Sequence, residues 1–472
     1  EDGIRDIIVT GVQTCAFRSY YIGIDIGSTY VKSVLIDMEA GKARQEQRFP
    51  APAKRELKNR RCFEISAEEL LAMVRTQAEC FADLYEDIKG VILSTQMHGF
   101  VYCTEGRDDR YISWQDMRCL DRKNEQETYM DSLAADISRQ DMENHGVYIK
   151  PSLGLCNLYT LLEEEDLPRD GELFTLGSYI IAGLTGENRC HIMNAAPLGL
   201  ADVKNCCWDK PLLERLGFHQ IRLPKLAESD TEICGFWSYK GTEIPVYPDF
   251  GDQQCAILGS MTRQRDAVIN IATASQVSVT TKEFRPGPYE IRPYFGNQYI
   301  NTISNMPSGR NLDVLIDFLG EFYQRLSGQK AEKTDLWKAA LQGYDGQADG
   351  LLADMSFYAL PDKRQGGEIR GITNVNLNTE HLFAAAFENM ADTYWEHIKK
   401  LAEEEEIQRL VCAGGVSWKR PELLKKIGER SGKPCTLSAV PDEALNGLYR
   451  IALLCEGICQ TPEEHPELIL QG

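Results

Sequence analysis

The sequence has no long apolar run, and no segment approaches the length of about 20 apolar residues that spans a bilayer. It is also poor in basic residues, because 51 Lys and Arg stand against 71 Asp and Glu, for a formal net charge of −20. These deficits argue against a membrane span and against nucleic acid or an anionic membrane surface as a partner. If the ligand is a phosphate, its site must reverse the local field with a metal ion, backbone dipoles or a few lysines.

Cysteine is abundant, with 15 residues, but the paired spacing of a metal-binding or redox motif is missing. No C-x-x-C pair occurs, and neither the adjacent Cys206 and Cys207 nor the pair Cys455 and Cys459 has partners at zinc-finger spacing. We therefore expect reduced, mostly buried thiols in a cytoplasmic protein rather than disulfides or zinc.

The length of 472 residues predicts two large domains. Residues 1–18 lack the cationic start and apolar core of a secretory signal, and part of this segment resembles translated sequencing adapter. We expect residues 1–19 to be a non-native or disordered leader. We place the first domain at residues 20–260 and the second at residues 261–472.

Two segments that start 245 residues apart, 24–34 and 269–279, have nearly the same form. Each is an apolar strand, a turn of small and hydroxyl residues, and a second alternating strand. Small residues in such a turn let backbone N–H groups approach a phosphate closely. One copy alone is consistent with an ordinary hairpin. Two copies, one near the start of each half, predict duplicated half-domains that close on a polyphosphate.

Periodicity and turn signals place further elements along both halves. Hairpins are predicted at residues 21–37 and 267–280, and buried strands at 91–94 and 410–412. Helices are predicted at residues 66–87, 156–165, 174–184, 312–326, 380–405 and 443–455, with others beginning at 255 and near 421. The alternation of strands and helices indicates an α/β fold with sites at strand ends. Small residues in the last helix permit close packing on a neighbour.

Asp25 ends the first strand, directly before the glycine turn. A carboxylate there can orient Mg²⁺ or its water ligands beside phosphates, although turn aspartates commonly bond their own backbone. Lys32, on the returning strand, can point toward a γ-phosphate, with a solvated strand lysine as the ordinary alternative. Thr29 and Thr273 can bind phosphate oxygens, but threonine is also simply a good strand residue.

Asp252 follows a strand and an aromatic–glycine step, and it directly precedes a predicted helix. Its ordinary interpretation is a helix N-cap, which is worth about 1 kcal/mol. At the mouth of the predicted cleft, the same carboxylate can accept the proton of a sugar hydroxyl during phosphoryl transfer. We therefore take Asp252 as the candidate general base.

Two other segments carry groups that suit a polyol. Gln96, Met97 and His98 bring an amide, a thioether and an imidazole to one strand end, although a lone histidine is more often structural. Gly99 follows them, so backbone amides are available there as well.

The second segment begins at Trp114, whose indole suits a sugar face. Asp116 and Arg118 add an acceptor and a donor, but they are also explained by an incidental ion pair in a surface loop.

Glycine turns in the second half are candidates for nucleotide contact. Gly414 and Gly415 follow a buried strand and let the backbone lie flat against adenine or ribose, and Gly309 precedes a predicted helix. Each of these signals is weak alone, because loops use glycine widely.

Taken in order, these motifs resemble the FGGY carbohydrate kinases, a family within the actin-like ATPase superfamily. The resemblance covers essentially residue 20 to the C-terminus. It is carried by Asp25-x-Gly-Ser-Thr-x-x-Lys32, Gln96-Met-His-Gly99, Trp114-Gln-Asp-x-Arg118, Gly251-Asp-Gln-Gln254, Asn270-x-Ala-Thr-x-Ser275 and Ala413-Gly-Gly415.

The resemblance implies an α/β fold of two actin-like (ribonuclease H-like) domains with a deep interdomain cleft, the first binding sugar and the second binding ATP. It implies that Asp252 is the catalytic base and that Asp25 is the acid associated with Mg²⁺, directly or through water. Lys32 would spread the developing charge. The implied sugar contacts are Gln96, Met97, His98, Trp114, Asp116, Arg118, Asp252 and Gln253, and the implied ATP contacts are Gly27, Ser28, Thr29, Ala272, Thr273, Gly309, Gly414, Gly415 and Lys419. Two of these depart from the family pattern: many relatives have glycine where Ala272 stands, and some have asparagine where Lys419 stands.

Within the family, residues 114–119, 154–156, 194–196, 265–270 and 293–295 are similar to the sedoheptulokinases. This similarity implies phosphorylation of a ketose at its terminal hydroxyl, with ATP as co-substrate and Mg²⁺. Xylulose or another sugar is an alternative substrate. An actin-like scaffold or sensor that binds ATP without phosphorylating a sugar is an alternative of another class. We expect a cytoplasmic monomer or homodimer whose partners are small molecules, with no nucleic acid or membrane.

Overall fold

The computed structural model describes residues 19–165, 167–272, 274–359, 361, 364–461, 464–465 and 467–471. The expected leader, apart from Ser19, lies outside the described residues. Within the described part of the chain, no helix combines the length and apolar character needed to cross a membrane.

The first half of the chain alternates strands and helices up to residue 259. Its strands are β1 (Tyr20–Ile26), β2 (Tyr30–Asp37), β3 (Lys42–Pro50), β4 (Glu64–Ser66), β5 (Ile88–Thr95), β6 (Phe100–Cys103), β7 (Arg110–Ile112), β8 (Glu172–Thr175), β9 (Arg189–Cys190), β10 (Ala201–Asp202), β11 (Cys207–Trp208), β12 (Lys225–Leu226), β13 (Gly235–Tyr239) and β14 (Thr242–Gly251). Its helices are α1 (Ala67–Leu84), α2 (Tyr129–Ala135), α3 (Arg139–His145), α4 (Gly154–Glu164), α5 (Leu176–Thr185), α6 (Ile192–Ala195), α7 (Lys210–Arg215) and α8 (Asp252–Gly259).

A six-stranded sheet organises the first domain in the order β13-β14-β5-β1-β2-β3. Strands β1, β2 and β3 are antiparallel neighbours, whereas β5 runs parallel to both β1 and β14. Helix α1 begins as the sequence predicts, because the Ser66 hydroxyl accepts a hydrogen bond from the Glu69 backbone N–H. Its buried face, which includes Leu70, Val74 and Phe81, belongs to the same hydrophobic core as β1 and β5.

The second half repeats this alternation from Asp266 onward. Its strands are β15 (Asp266–Ile271), β16 (Ser275–Thr281), β17 (Glu290–Tyr294), β18 (Gln298–Met306), β19 (Leu352–Asp354), β20 (Glu368–Arg370), β21 (Arg409–Ala413) and β22 (Cys435–Leu437). Its helices are α9 (Gly309–Ser327), α10 (Lys333–Ala340), α11 (Thr379–Leu401), α12 (Gly415–Lys419), α13 (Pro421–Ser431) and α14 (Glu443–Cys455).

A second six-stranded sheet has the order β17-β18-β16-β15-β21-β22. Strands β15, β16 and β18 are antiparallel neighbours, and β21 runs parallel to β15 and β22. The five strands β18-β16-β15-β21-β22 therefore repeat the directions of β3-β2-β1-β5-β14 in the first sheet. The duplication predicted from the two similar segments is present, since these segments form the hairpins β1–β2 and β15–β16.

The two halves are joined through a crossing of helices α8 and α14. A Cβ at Gly259 would lie 1.7 Å from the Glu443 carbonyl oxygen, and one at Gly447 would lie 2.1 Å from the Cys255 carbonyl oxygen. Only glycine allows so close an approach of two backbones. The Asn446 side chain also donates to the Gly259 carbonyl oxygen over 2.7 Å. Around this crossing, one apolar core contains residues of β1, β2 and β5 together with residues of α8, α14 and β15.

Two helices differ from the sequence expectations. Helix α8 begins at Asp252 itself with Gly251 as its N-cap, so Asp252 lies in the first turn rather than at the cap. The short helix α12 was not predicted, because its five residues are too few to show a period. The predicted domain boundary at residue 260 falls in the connection between α8 and β15. Helix α14 follows this boundary in the sequence, yet it packs on α8 and lies near β1 and β5 of the first half.

We expect Gly447→Ala to lower the free energy of unfolding by about 1–3 kcal/mol, because its methyl group would press the α14 backbone away from α8. The matched control is Gly320→Ala within α9, whose added Cβ would meet only the terminal methyl group of Leu336. Urea unfolding of both variants measures the difference. Equal stability of the two variants would contradict the close crossing.

Candidate functional site

A central cavity of about 380 Å³ lies between the two sheets and is lined by both halves of the chain. It is the region within which a small-molecule ligand would meet the predicted site residues. Its lining consists of Asp25, Gly27, Met97, His98, Trp114, Lys150, Ser152, Asp252, Gln253, Ala256, Asn270, Ala274, Ser275, Gln276, Arg292, Ser304, Asn305 and Ala444.

The two predicted phosphate turns face this same cavity. Gly27 contributes from the β1–β2 turn, and Ala274 and Ser275 contribute from the β15–β16 turn. Ser28 and Thr29 are exposed at the tip of the first turn. Thr273, which was also expected to contact phosphate, lies outside the described residues. The turns can therefore approach one ligand from opposite domains.

Asp25 lies at the cavity where the antiparallel register places Lys32 directly across from it. Its Oδ1 accepts a hydrogen bond from the Ser94 hydroxyl over 2.8 Å, and its Oδ2 lies 3.8 Å from Lys32 Nζ. Burial raises the pKa of Asp25 despite the opposing influence of Lys32 and Ser94.

Lys32 is held more closely by Asp442, at 2.7 Å, than by Asp25. Although burial works in the other direction, Asp442 and Asp25 together raise the pKa of Lys32. Asp442 is the N-cap of α14, and its second oxygen accepts from the Leu445 backbone N–H. The lysine thus joins the first phosphate turn to the helix that crosses α8.

Asp252 is recessed at the start of α8 and reachable from the central cavity. Its Oδ1 accepts a hydrogen bond from the backbone N–H of Gln253 over 2.8 Å. The pKa of Asp252 is raised to about 6. Burial of the carboxyl is the larger cause, and the negative charge of Asp25 is the second. A carboxylate with this pKa is ionised at neutral pH and is basic enough to accept a proton.

His98 is a neutral imidazole whose two nitrogens both have partners. Nδ1 lies 3.0 Å from the Pro197 carbonyl oxygen, so it carries the hydrogen, and Nε2 accepts from the Arg292 guanidinium over 3.2 Å. Burial and the positive charges of Lys150 and Arg292 hold the pKa of His98 well below its usual value.

Arg292 brings a cation from β17 of the second sheet to this wall of the cavity. It donates to Gln253 over 2.7 Å and to Glu290 over 2.8 Å, while Glu290 also pairs with Lys150 of the first domain. Burial alone would raise the pKa of Glu290, but Lys150 and Arg292 outweigh it and hold that pKa well below the usual range. The cluster of Lys150, Glu290, Arg292 and His98 therefore crosses from one domain to the other.

The remaining residues expected at the sugar divide into two groups. Met97 and the partly exposed Trp114 line the central cavity, as does Gln253. The Gln253 amide donates to the hydroxyls of Ser278 and Thr302 on the second sheet. Gln96 is buried beside the cavity-lining Met97, and its backbone N–H donates to the Ile26 carbonyl oxygen.

Asp116 and Arg118, also expected at the sugar, are not among the residues that line the central cavity. Both are almost completely buried, and Arg118 pairs with Asp116 over 2.8 Å and with Glu64 over 2.5 Å. Asp116 also accepts from the Phe63 backbone N–H. These contacts tie the segment that carries Trp114 to β4, so the pair is a buried ion pair and not the surface pair that the sequence also allowed.

A second, outer cavity of about 840 Å³ is lined by the second domain alone. Of the predicted nucleotide contacts, Ala272, Gly309 and Lys419 line it. The other residues of its wall are Arg310, Leu312, Asp313, Lys333, Thr334, Trp337, Lys338, Leu341, Val416, Arg420 and Glu422. The second phosphate turn contributes to both cavities, since Ala272 lines the outer cavity and Ala274 lines the central one.

Gly414 and Gly415 connect β21 to α12 near this junction. Gly414 has φ of +83°, and a Cβ there would lie 2.4 Å from Asn270 Oδ1, so the position requires glycine. Its backbone N–H donates to the Glu443 carboxylate at the start of α14, while Gly415 faces open space.

Apart from Lys419, sequence reasoning missed the cations that line the two cavities. Lys150 stands in a loop and Arg310 on a helix, where such residues are ordinarily solvent-facing. Glu290 and Arg292 did leave a signal, because charges two residues apart in the strand pattern Glu-Ile-Arg-Pro-Tyr face the same side of a buried strand.

The carboxylates of the central cavity suit Mg²⁺ that is shared with phosphates and water, rather than a metal ion whose ligands all come from the protein. Among the described residues, no group of three or more His, Cys, Asp or Glu side chains is placed to hold a metal ion. Mg²⁺ at nucleotide sites typically uses one or two carboxylates together with phosphates and water. Asp25 supplies such a carboxylate, with Asp252 as its charged neighbour.

Curated relatives over most of the chain include two sugar kinases. Sedoheptulokinase of Mus musculus is 24% identical over 468 residues, which span 88% of this chain and 93% of that protein. Sedoheptulokinase of Homo sapiens is 24% identical over 470 residues with the same coverage. A shorter match, 28% identical over 273 residues, is to glycerol kinase of Dechloromonas aromatica and covers about half of each chain.

Solved structures agree on the fold. The chain is similar to gluconate kinase from Lactobacillus acidophilus, with a TM-score of 0.81 at 17% identity over 96% of this chain and 92% of that one. Glycerol kinase of Plasmodium falciparum, solved with ADP, has a TM-score of 0.78 at 16% identity over 96% and 92% of the two chains. These neighbours confirm the expected pair of actin-like (ribonuclease H-like) domains.

The family model for the N-terminal domain of the FGGY family of carbohydrate kinases matches residues 20–259, which is just over half of the chain. Its start coincides with the first residue of β1 and its end with the last residue of α8. The chain belongs to the FGGY family of carbohydrate kinases.

Proposed function

We propose that this kinase transfers the γ-phosphoryl group of ATP to the terminal hydroxyl of a ketose, with sedoheptulose as the preferred acceptor and sedoheptulose 7-phosphate as the product. The observation that supports the reaction is the position of Asp252. It lines one cavity together with the two phosphate turns and with Met97, His98, Trp114 and Gln253, four of the residues expected to bind sugar. Proton acceptor, phosphate-binding backbone and polyol-binding groups therefore adjoin one space.

Asp252 acts as the general base in this proposal. The sugar hydroxyl gives its proton to the carboxylate as its oxygen attacks the γ-phosphorus, and the bond from that phosphorus to ADP breaks. The raised pKa of Asp252 makes it a better proton acceptor than an exposed aspartate. Closure of the two domains would exclude water from the central cavity and limit ATP hydrolysis.

In this proposal Asp25, through Mg²⁺, and Lys32 neutralise the negative charge of the phosphates. Asp25 would hold Mg²⁺, directly or through water, and the ion supplies charge neutralisation of the phosphate oxygens when it is bound. Lys32 keeps the Asp25 carboxylate compensated until then, at 3.8 Å, while Asp442 fixes the position of the ammonium group. The adenosine part of ATP fits the outer cavity, where Trp337 and several cations line the wall.

The sugar would occupy the central cavity against Met97, His98 and Trp114. Neutral His98 has its Nε2 directed to Arg292, so a sugar hydroxyl that reaches this wall meets Arg292 and Lys150 as donors. The sequence similarity to the sedoheptulokinases over 88% of the chain supports a seven-carbon ketose. Xylulose is the second candidate, since xylulose kinases share the fold at a TM-score of 0.81.

A coupled ADP-release assay over a panel of acceptors tests the substrate. We expect kcat/KM for sedoheptulose to exceed that for xylulose, ribulose and glycerol by at least about tenfold, a difference of about 1.4 kcal/mol in transition-state binding. The panel includes the anion gluconate, because two cations, Lys150 and Arg292, outnumber the one carboxylate of Glu290 at this wall of the central cavity. A higher kcat/KM for any other acceptor would contradict the choice of sedoheptulose but not the proposed kinase reaction.

Asp252→Asn tests the general base. We expect kcat to fall by about 10²–10⁴-fold while the affinity for ATP changes less than about twofold, because the amide cannot accept the proton. Isothermal titration with ATP and steady-state kinetics measure the two effects. The matched control is Glu68→Gln, which alters another first-turn acid, on α1, and should leave both unchanged. A turnover near that of the unmodified chain would refute the assignment.

The pH dependence provides a separate test. Because Asp252 must be ionised and its pKa is about 6, kcat/KM should rise with pH, reach half of its maximum at about pH 6 and level above about pH 7. His98 does not account for this rise, since its pKa lies well below the usual histidine value. In Asp25→Asn the residual activity should show the rise at lower pH, because a negative neighbour has been removed. A flat profile from pH 5 to 8 would contradict the proposal.

A further inference from the structure

A basic strip, which we define as residues 42–61, lies on the surface of this acidic chain. It contains eight Lys and Arg against two Glu, so it carries +6, and with the whole chain at −20 the rest carries −26. The strip forms β3, the edge strand of the first sheet, and most of the connection from β3 to β4. Seven of its cations are exposed, namely Lys42, Arg44, Arg48, Lys54, Lys58, Arg60 and Arg61.

Most of the cations of the strip keep their charge uncompensated. Three arginines each pair with one aspartate outside the strip, namely Arg44, Arg55 and Arg61. The other five form no ion pair with any carboxylate that the structure describes, and they are Lys42, Arg48, Lys54, Lys58 and Arg60. An exposed cation without a carboxylate partner keeps its full attraction for an anion in solution.

One end of the strip adjoins the first phosphate turn. Arg48 stands opposite Lys32 in the β2–β3 register, and its guanidinium lies 3.8 Å from the ring centroid of Tyr30. Three residues further on, the backbone N–H of Ala51 donates to the carbonyl oxygen of Thr29 over 2.9 Å. Thr29 is at the exposed tip of the turn. The cations of β3 therefore lie beside the backbone that we propose to bind phosphate.

The other end of the strip adjoins a second segment of the cavity wall. The backbone N–H of Met117 donates to the carbonyl oxygen of Arg61 over 2.9 Å. Trp114, three residues before Met117, lines the central cavity, and so does Gly27 of the phosphate turn. Both ends of the strip therefore contact segments that form the wall of the central cavity, while no strip residue is among those that line either cavity.

This charge pattern suits a small polyanion. An exposed charge acts over a Debye length, which is about 8 Å at physiological ionic strength. A small anion at the strip therefore responds mainly to the nearby cations. Nucleic acid or an anionic membrane would extend beyond the strip and meet the −26 of the remaining chain. In the proposed function the small polyanion is ATP.

We propose that the basic strip attracts ATP from solution and guides its phosphates to the first phosphate turn. This inference rests on the proposed function, because it concerns how the co-substrate of that reaction arrives. A patch of opposite charge beside a cleft can raise the association rate constant of a ligand by about 10–10³-fold. The contacts inside the cavities determine how long ATP stays bound, so the strip acts on kon and not on koff.

The salt dependence of ATP association to the unmodified chain gives the first test. Stopped-flow fluorescence with mant-ATP and Mg²⁺, at ionic strengths from about 0.02 to 0.5 M, measures kon and koff. We expect kon to fall by about fivefold or more as salt is added, because salt screens the attraction to the strip. If the net charge of −20 governed the approach, kon would rise with salt, and the proposal would be overturned.

Charge reversal within the strip gives the second test. In Lys54→Glu combined with Lys58→Glu and Arg60→Glu, kon at low salt should fall by about tenfold, while koff and kcat at saturating substrates change less than about twofold. The matched control changes the net charge equally but should slow association by less than about twofold. It reverses three exposed lysines on the segment from β10 to β12, namely Lys204, Lys210 and Lys225.

A neutral variant covers the case in which the reversed strip does not fold. Glutamine at positions 54, 58 and 60 keeps polar side chains and should lower kon at low salt by a smaller factor. Unchanged kon in the strip variants, or equal slowing in the control, would overturn the proposal. A faster koff at unchanged kon would also overturn it, since the strip would then contact bound ATP. If the unmodified chain bound neither mant-ATP nor competing ATP, the proposed function itself would fail, and this inference with it.

Discussion

The whole arrangement depends on the contact between the backbones of α8 and α14 at Gly259 and Gly447. Sliding one helix along the other would replace a glycine at the contact by a larger side chain, which would collide with a backbone carbonyl oxygen. The two helices therefore have little freedom to slide. The first turn of α8 carries Asp252, and the first turn of α14 follows Asp442. The same contact therefore fixes the candidate base, and through Asp442 it fixes Lys32 beside Asp25. Packing of apolar helices sets the distances among the charged groups.

An acidic protein must build its own positive surroundings for a phosphate ligand, and here it does so inside the cavities. With a formal net charge of −20, the long-range field repels anions. Lys150 and Arg292 line the central cavity, and Lys32 lies 3.8 Å from the cavity-lining Asp25. Each of the three is held in place by a carboxylate. Further cations line the outer cavity. Binding of ATP thus relies on short-range contacts and backbone dipoles, which salt screens less than it screens surface charges.

The sequence predicted elements whose signals lie within a few positions, but it did not predict contacts between residues that are distant in the chain. The hairpins β1–β2 and β15–β16, the capped start of α1 and the bounds of α14 follow from periodicity and small residues within a few positions. The burial of Arg118 depends on Glu64, and the orientation of Lys32 depends on Asp442, 410 residues away. Such contacts are tertiary, and no pattern around either residue encodes them. The family resemblance predicted Asp252 as the candidate base, whereas the raised pKa of this carboxyl depends on its neighbours in space.

Residues of both domains form one wall of the central cavity, which consists of Lys150, Glu290, Arg292 and His98 and is the wall at which we propose that the sugar binds. Lys150 and His98 belong to the first domain, whereas Glu290 and Arg292 belong to β17 of the second. Any shift of one domain against the other changes the separation of these buried charges, which is costly unless a ligand replaces the lost contacts. A polyol that bonds to Lys150 and Arg292 offers such a replacement. In the proposed function, a ligand at this wall would therefore be linked through electrostatics to the relative position of the domains. Gln253 connects the wall to Asp252, because its side chain accepts from Arg292 and its backbone N–H donates to Asp252.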